Sequence, residues 1–253
     1  SLRLRYNVSG RGRNLMEELT SLKNQRVKDW KKLQHKKYRQ ASQTYLLEGW
    51  HLVNEATDAG VDIKELLVTK DAVDAHPEVT NLCQDVYLVT RQIMKAVLNE
   101  VTPQGIAAVV DLPDSHRLPA GPLSGGWLLL DRVQDPGNVG TMVRTADAAG
   151  FSGVVLSDRC AELYSPKVVR AMQGSQFHLQ LFEGDLLKWV QDFKNAGALV
   201  YGTELNPTAV DYRQAKTSPT FALIMGNEGH GMSKELLQLT DQNLYIPMPG
   251  NAE

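Results

Sequence analysis

Residues 135–150, DPGNVGTMVRTADAAG, bring several chemically capable side chains close together. Asp135, Pro136 and Gly137 suit a tight turn. Asn138 is placed to cap the helix that follows, or to orient a bound group. Arg144 lies nearly two turns into that helix, where its guanidinium suits either a surface ion pair or a clamp on an anionic group. Three more turns follow apolar runs. LVYGTEL presents Gly202, Thr203 and Glu204; ALIMGNEGHGMS presents Gly226, Asn227, Glu228 and Gly229; YIPMPGN presents Ile246, Met248 and Gly250. Each alone reads as an ordinary loop. Together, their N–H and C=O groups could read the edge of an adenine or a ribose. The chain has neither a G-x-G-x-x-G fingerprint nor a Walker A sequence, which disfavours a standard dinucleotide or P-loop site. His230 is a second candidate base, although a loop-surface histidine is the simpler reading. His178 and Ser175 read as structural, with Ser175 also within the range of substrate contacts. Cys83 and Cys160 form no metal-ligand cluster, and no metal is expected.

The elements that must position these residues alternate between strand and helix. Strands are expected at 127–131, 153–157, 199–202, 221–225 and 244–246, and helices at 139–149, 166–173, 185–195 and 233–239. That alternation predicts a mostly parallel sheet with helices on both faces. Ligands bind such sheets outside the carboxyl ends of the strands, where all four turns fall. Gly150 is expected to end the first of these helices as its C′ residue. Upstream, YLLEGWHLVNEATDAG reads as a strand and a helix stopped by Gly60, IKELLVT and VYLVT as strands, RQIMKAVLN as a helix and GIAAVVDL as a strand. This is a small α/β domain over 44–112. Residues 113–126 are rich in Pro, Gly and Ser and read as a linker.

Residues 16–40 read as one helix, with a rough apolar stripe at Leu22, Val27, Trp30 and Leu33. Residues 1–15 have no clear period and read as a leader, with Met16 a candidate native start. Residues 1–43 hold 12 Lys/Arg against 3 Asp/Glu, whereas the rest holds 15 against 26. A basic arm on an acidic body suggests a polyanionic partner; a solvated lysine-rich helix is the plainer alternative. The hydrophobic content of 42% supports a folded core. The apolar runs are too short to span a membrane, no signal peptide is visible, and both thiols read as small buried side chains in a reduced, cytoplasmic setting.

The segments LDRVQDPGNVGTMVRTADAAGF, IMGNEGHGMS and LYIPMPGNAE resemble, in order and spacing across 127–253, the three motifs of the SPOUT superfamily, specifically its SpoU/TrmH branch of RNA 2′-O-ribose methyltransferases. Residues 44–112 resemble the L30e-like RNA-binding domain that often precedes it. The resemblance implies an α/β fold with a deep trefoil knot, in which the C-terminal part of the chain threads through a loop. It implies S-adenosylmethionine held by the knotted loops and a homodimer with active sites near the interface. Carried onto this chain, the cofactor loops are Thr203, Glu204, Gly226, Asn227, Gly229, Ile246 and Met248. Asn138, Arg144 and Glu228 match the positions tied to catalysis. Relatives continue the third motif with Ser-Leu-Asn and a final helix, which this sequence, ending at Glu253, does not include. RAMQGSQFHL carries Met172 where a small residue is expected.

The implied reaction moves a methyl group to a ribose 2′-OH. A neutral hydroxyl is a poor nucleophile, so its proton must leave as it attacks. Arg144 suits clamping the 3′ phosphate and stabilising alkoxide charge better than it suits acting as a base, because guanidinium holds its proton very tightly. Asn138 would orient the ribose or Arg144, and Glu228 would orient them or accept the proton through water. Lys28, Lys31, Lys32, Lys36, Lys37 and Arg39 are expected to meet RNA phosphates. Ribosomal RNA is favoured over transfer RNA. A non-catalytic RNA-binding or assembly factor with a degenerate knot remains the alternative from a different class.

Overall fold

The computed structural model describes residues 3, 4 and 16–250. The rest of the leader and the end of the third motif, residues 251–253, lie outside the described residues. The chain divides into two compact units, one containing the described residues up to Pro113 together with Tyr164–Phe177, the other containing Asp114–Leu163 and the residues from His178 onward.

The first unit is built on a mixed six-stranded sheet. Its strands are β1 (Arg3–Leu4), β2 (Met16–Leu19), β3 (Thr44–Glu48), β4 (Ile63–Val68), β5 (Val86–Val89) and β6 (Ile106–Asp111), in the order β1-β2-β5-β4-β6-β3. Its helices are α1 (Gln25–Lys32), α2 (Lys36–Ser42), α3 (Gly49–Asp58), α4 (Lys70–Ala75) and α5 (Arg91–Leu98). The expected helix over 16–40 is replaced by β2, α1 and α2. Met16 and Leu19 are buried while the two glutamates between them are half-buried, and β2 pairs in parallel with β5. Asn24 then starts a new element, because its side chain accepts from Arg26 N at 2.8 Å as a helix cap. Val27, Trp30 and Leu33 of the expected stripe are buried with Ile93, Met94 and Val97 of α5. Apolar burial of this size, roughly 1.5–3 kcal/mol per large side chain, makes α1 part of the core rather than a loose arm.

The second unit is a seven-stranded, all-parallel sheet. In chain order it comprises β7 (Gly126–Leu130), α6 (Pro136–Ala148), β8 (Gly153–Leu156), β9 (Gln180–Glu183), α8 (Leu186–Asn195), β10 (Leu199–Gly202), β11 (Val210–Asp211), β12 (Phe221–Met225), α9 (Lys234–Leu237) and β13 (Gln242–Tyr245). The helix between β8 and β9, α7 (Pro166–Met172), packs with the first unit. Strand order is β11-β13-β10-β12-β7-β8-β9, and every pairing is parallel. Near-continuous apolar runs such as GWLLL and GVVL are what a parallel sheet buried on both faces demands. One layer of the core holds Trp127, Phe182, Trp189 and Phe193, with ring centroids 5.2–6.3 Å apart. Because β13 inserts between β10 and β11, the connection over 203–209 has to pass across it. Gly150 has φ +74° one residue past the α6 C-cap, as its expected C′ role requires.

Within the first unit the segment 164–177 is held by side chains. Arg170 reaches Glu48 and Glu100, both at 3.0 Å, and Tyr164 packs on Tyr45 at 5.1 Å. Met172, where a small residue is expected, is fully buried and fills space that a smaller side chain would leave empty. Ser175 is buried too. The two thiols are half-buried rather than fully enclosed, and burial pushes that of Cys83 up to about 11.

Candidate active site

All strands of the second unit run the same way, so the loops after β7, β8, β9, β10, β12 and β13 share one edge. Two of these loops, after the adjacent strands β7 and β12, are tied together. Asn227 Nδ2 donates to the Arg132 carbonyl at 2.8 Å, Arg132 Nη2 to the Gly231 carbonyl at 3.4 Å, and Ser233 N to Asp131 Oδ2 at 2.7 Å. Asp131 is buried, and Ser233 N together with the Arg132 guanidinium, whose Nε lies 3.2 Å from Asp131 Oδ1, offsets the cost of keeping its carboxylate out of water. Arg132 has φ +59°, an uncommon conformation for a side chain with a Cβ, and this turns its carbonyl toward Asn227.

The GNEGHG loop folds around the Asn227 side chain. Asn227 Oδ1 accepts from Gly229 N at 2.9 Å and His230 N at 3.2 Å, and its backbone exchanges two hydrogen bonds with Gly231. Gly226 is required by this closure: a Cβ there would lie 2.5 Å from Gly231 C and from Met232 N. Thr203 is similarly committed, its hydroxyl donating to the Ile224 carbonyl at 2.9 Å and its N–H meeting Met232 Sδ at 3.3 Å. Asn227 and Thr203 therefore spend their side chains on holding the loops after β10 and β12 in place. Glu204 sits near Gly231, and Gly229 is exposed. Leu205, Ile246 and Met248 are 80%, 70% and 65% exposed, which is unusual for large apolar side chains. Leu205 lies three residues past the end of β10, and Ile246 one residue past the end of the adjacent strand β13.

The expected catalytic residues fall differently. Asp135, not Asn138, caps α6: its Oδ1 accepts from Asn138 N at 2.8 Å, and Pro136 takes the first helical position. Pro136 was the available signal, since proline favours the first turn of a helix. The correction leaves the Asn138 side chain outside the cap. Val139, Gly140, Val143 and Ala146 form the buried face of α6. Arg144 is exposed and has no hydrogen bond or ion pair among the described residues. Asn138 and Arg144 stand six residues apart, about 9 Å along the helix and about 120° around it, so they leave α6 on different faces. Glu228 and His230 are exposed at the loop tip. His178 pairs with Asp147 at 2.9 Å. Among the described residues no group of His, Cys, Asp and Glu is placed to hold a metal ion.

In the first unit, Lys28, Lys31, Lys36 and Lys37 are exposed as expected. Lys32 is half-buried and bonded to Asp29 at 2.7 Å. Arg39 leaves the expected phosphate-contact set: it is 2% exposed, and its Nη1 donates to the Leu33 carbonyl at 2.7 Å. A lysine-rich run does not reveal which cation the turn between α1 and α2 will enclose. No helix among the described residues is long and apolar enough to cross a membrane.

Comparison with known proteins matches two family models. Residues 127–253 match the SpoU rRNA Methylase family, and residues 24–108 match the MRM3-like substrate binding domain. The chain is 44% identical to the 23S rRNA (guanosine(2553)-2'-O)-methyltransferase RlmP of Bacillus subtilis, over 94% of this chain and 93% of that protein. It is 36% identical to the 23S rRNA (uridine(2479)-2'-O)-methyltransferase of Streptomyces viridochromogenes, over 61% of this chain and 55% of that one. The fold matches an AdoMet-bound rRNA methyltransferase from Sinorhizobium meliloti with a TM-score of 0.81 and 31% identity, covering 94% of this chain and 91% of that one.

Proposed function

Since the chain belongs to the SpoU rRNA methylase family, we propose that it is an RNA 2′-O-ribose methyltransferase whose substrate is a nucleotide of ribosomal RNA, in the large-subunit (23S) species. The observation that carries the reading is the division of labour at the strand ends. Asn227 and Thr203 spend their side chains on closing the loops, while Asn138, Arg144 and Glu228 are left for a ligand. The full-length likeness to two ribosomal RNA enzymes favours that substrate over transfer RNA and over a non-catalytic factor.

The residues fit S-adenosylmethionine. Leu205, Ile246 and Met248 offer apolar cover for an adenine, Glu204 an acceptor for ribose hydroxyls, and the 226–231 loop its backbone groups. Asn243 Oδ1, buried beside Gly202 with no hydrogen-bond partner among the described residues, is an acceptor left for a donor. Bound there, the cofactor supplies an electrophilic methyl group on a sulfonium. Arg144 holds the phosphate beside the target ribose and stabilises charge on the 2′ oxygen. Asn138 orients the ribose, and Glu228 accepts the hydroxyl proton through water. The separate faces of Asn138 and Arg144 on α6 support a homodimer, in which a second copy supplies one of the two. The knot belongs to this same reading, and β13 between β10 and β11 supports it. So does a cytoplasmic location beside the ribosome. Lys28, Lys31, Lys36 and Lys37 hold RNA phosphates.

Arg144→Ala tests the assignment. Because the side chain is exposed and unpaired, the variant should fold and melt like the parent yet lose methyl transfer to ribosomal RNA. Normal turnover would remove Arg144 from the mechanism.

A further inference from the structure

We propose that His35 and Tyr38, at the corner between α1 and α2, form a stacking platform for an unpaired RNA base, with Lys36 and Lys37 beside it holding the neighbouring phosphates. The inference rests on the RNA-methyltransferase reading and adds a base contact to the phosphate contacts already assigned.

The two rings meet edge to face, with centroids 6.3 Å apart and planes at 62°. His35 is exposed and Tyr38 is partly exposed. Neither ring is used by the fold in the usual way. His35 begins α2 without a side-chain capping bond, and the Tyr38 hydroxyl has no hydrogen bond among the described residues. Lys37 Nζ lies 4.8 Å and Lys32 Nζ 5.7 Å from the centre of the Tyr38 ring. Lys32 is also held by Asp29, whereas Lys37 rests on the wet aromatic face without an ion pair among the described residues, and an ammonium is weakly held there. A base has a π face that can take the place of the Lys37 ammonium, which can then turn with exposed Lys36 to the phosphates on either side.

The corner is rigid, as a platform must be. Buried Arg39 donates from α2 back to the Leu33 carbonyl, and Gln34 Nε2 donates to the Val97 carbonyl of α5 at 2.8 Å. Trp30 packs edge-on against Tyr87 at 5.1 Å and donates to Glu65, which also pairs with Arg26. The burial of Arg39 thus positions the aromatic pair. An A-form helix keeps its bases stacked on one another, so the ligand is a single-stranded base in a loop or bulge.

The test uses a fluorescein-labelled single-stranded RNA of about 12 nucleotides, within the usual range of such sites. Tyr38→Ala should weaken binding about 5- to 140-fold, the equivalent of about 1–3 kcal/mol at 1.4 kcal/mol per decade, and leave the salt slope unchanged. Tyr38→Phe should bind like the parent. The double variant Lys36→Gln, Lys37→Gln should weaken binding and flatten the salt slope by about 0.7 per lost contact. As a readout that needs no folded Tyr38→Ala protein, the same RNA with a central 2-aminopurine should be quenched by the parent chain and less by His35→Ala. Equal affinity for Tyr38→Ala and parent, with weakening only in the lysine variant, overturns the platform and leaves the RNA reading intact. Unchanged 2-aminopurine emission on binding to the parent overturns it as well. If the parent neither binds this RNA nor methylates ribosomal RNA, the underlying reading falls first.

Discussion

Replacing Asn227 with alanine separates a loop that must be ordered to bind from one that is merely well folded. The substitution removes a bond to the Arg132 carbonyl at 2.8 Å and the acceptor for Gly229 N and His230 N. Each bond is worth about 0.5–1.5 kcal/mol net. Gly229 and His230 are exposed, so water replaces part of the loss, and about 2 kcal/mol is a fair total for the loop. If S-adenosylmethionine requires the closed loop, its affinity should fall about 30-fold at 1.4 kcal/mol per decade. The loop opens locally, outside the cooperative core. Calorimetric titration gives the affinity, and scanning calorimetry gives Tm. Were the 2 kcal/mol lost from the global fold, Tm would drop about 4–8 °C. The expected result is weak binding with a much smaller drop. Full affinity in the alanine variant would refute the reasoning, and a full drop in Tm with binding intact would make Asn227 a purely structural residue.

Three other perturbations follow from the same geometry. Gly226→Ala forces a methyl group against the Gly231–Met232 backbone and should cost about 1–3 kcal/mol of loop closure, read as lost cofactor affinity. Neutralising Lys28, Lys31, Lys36 and Lys37 together should cut ribosomal RNA affinity and flatten its salt dependence, while the same change at paired Lys32 should do less. Burial raises the Glu48 carboxyl above its ordinary value of 4.5 despite Arg170 beside it. A raised acid favours the protonated folded state, so this contribution is present below pH 4.5 and is lost as pH rises through the folded value. Denaturant melts should therefore show Glu48→Gln lacking that decline; a parallel decline in both proteins would contradict it.

How far the sequence discloses the molecule depends on the kind of residue. The strands and helices of the second unit are legible because a doubly covered parallel sheet writes them as short apolar runs between glycine-bearing turns. Residues Leu199–Gly202 and Phe221–Met225 fall where the pattern puts them. MEEL is illegible as a strand: its four residues acquire their meaning only by pairing with β5. QLFE and the two-residue β11 are too short to carry a period. The cap at Asp135 is readable from Pro136, although Asn138 is an equally good capping residue type three positions on. The left-handed backbone of Arg132, the loop closure by Asn227 and the burial of Arg39 depend on contacts between residues far apart in the chain or across a corner, and no local pattern announces them. The family resemblance supplies the site residues; the structure separates those whose side chains hold the loops, Asn227 and Thr203, from those such as Arg144 whose side chains are exposed.

The central claim is that this chain methylates a ribose hydroxyl of ribosomal RNA. The most direct measurement incubates the protein with S-adenosylmethionine carrying a labelled methyl group and unmodified 23S ribosomal RNA, then hydrolyses the RNA in alkali. A methyl on the 2′ oxygen blocks cleavage of the adjoining phosphodiester, so the label should appear in an alkali-resistant dinucleotide, and Arg144→Ala should yield none. Label recovered only in mononucleotides would place the methyl on a base, and no label in the RNA would leave the chain without the activity claimed for it.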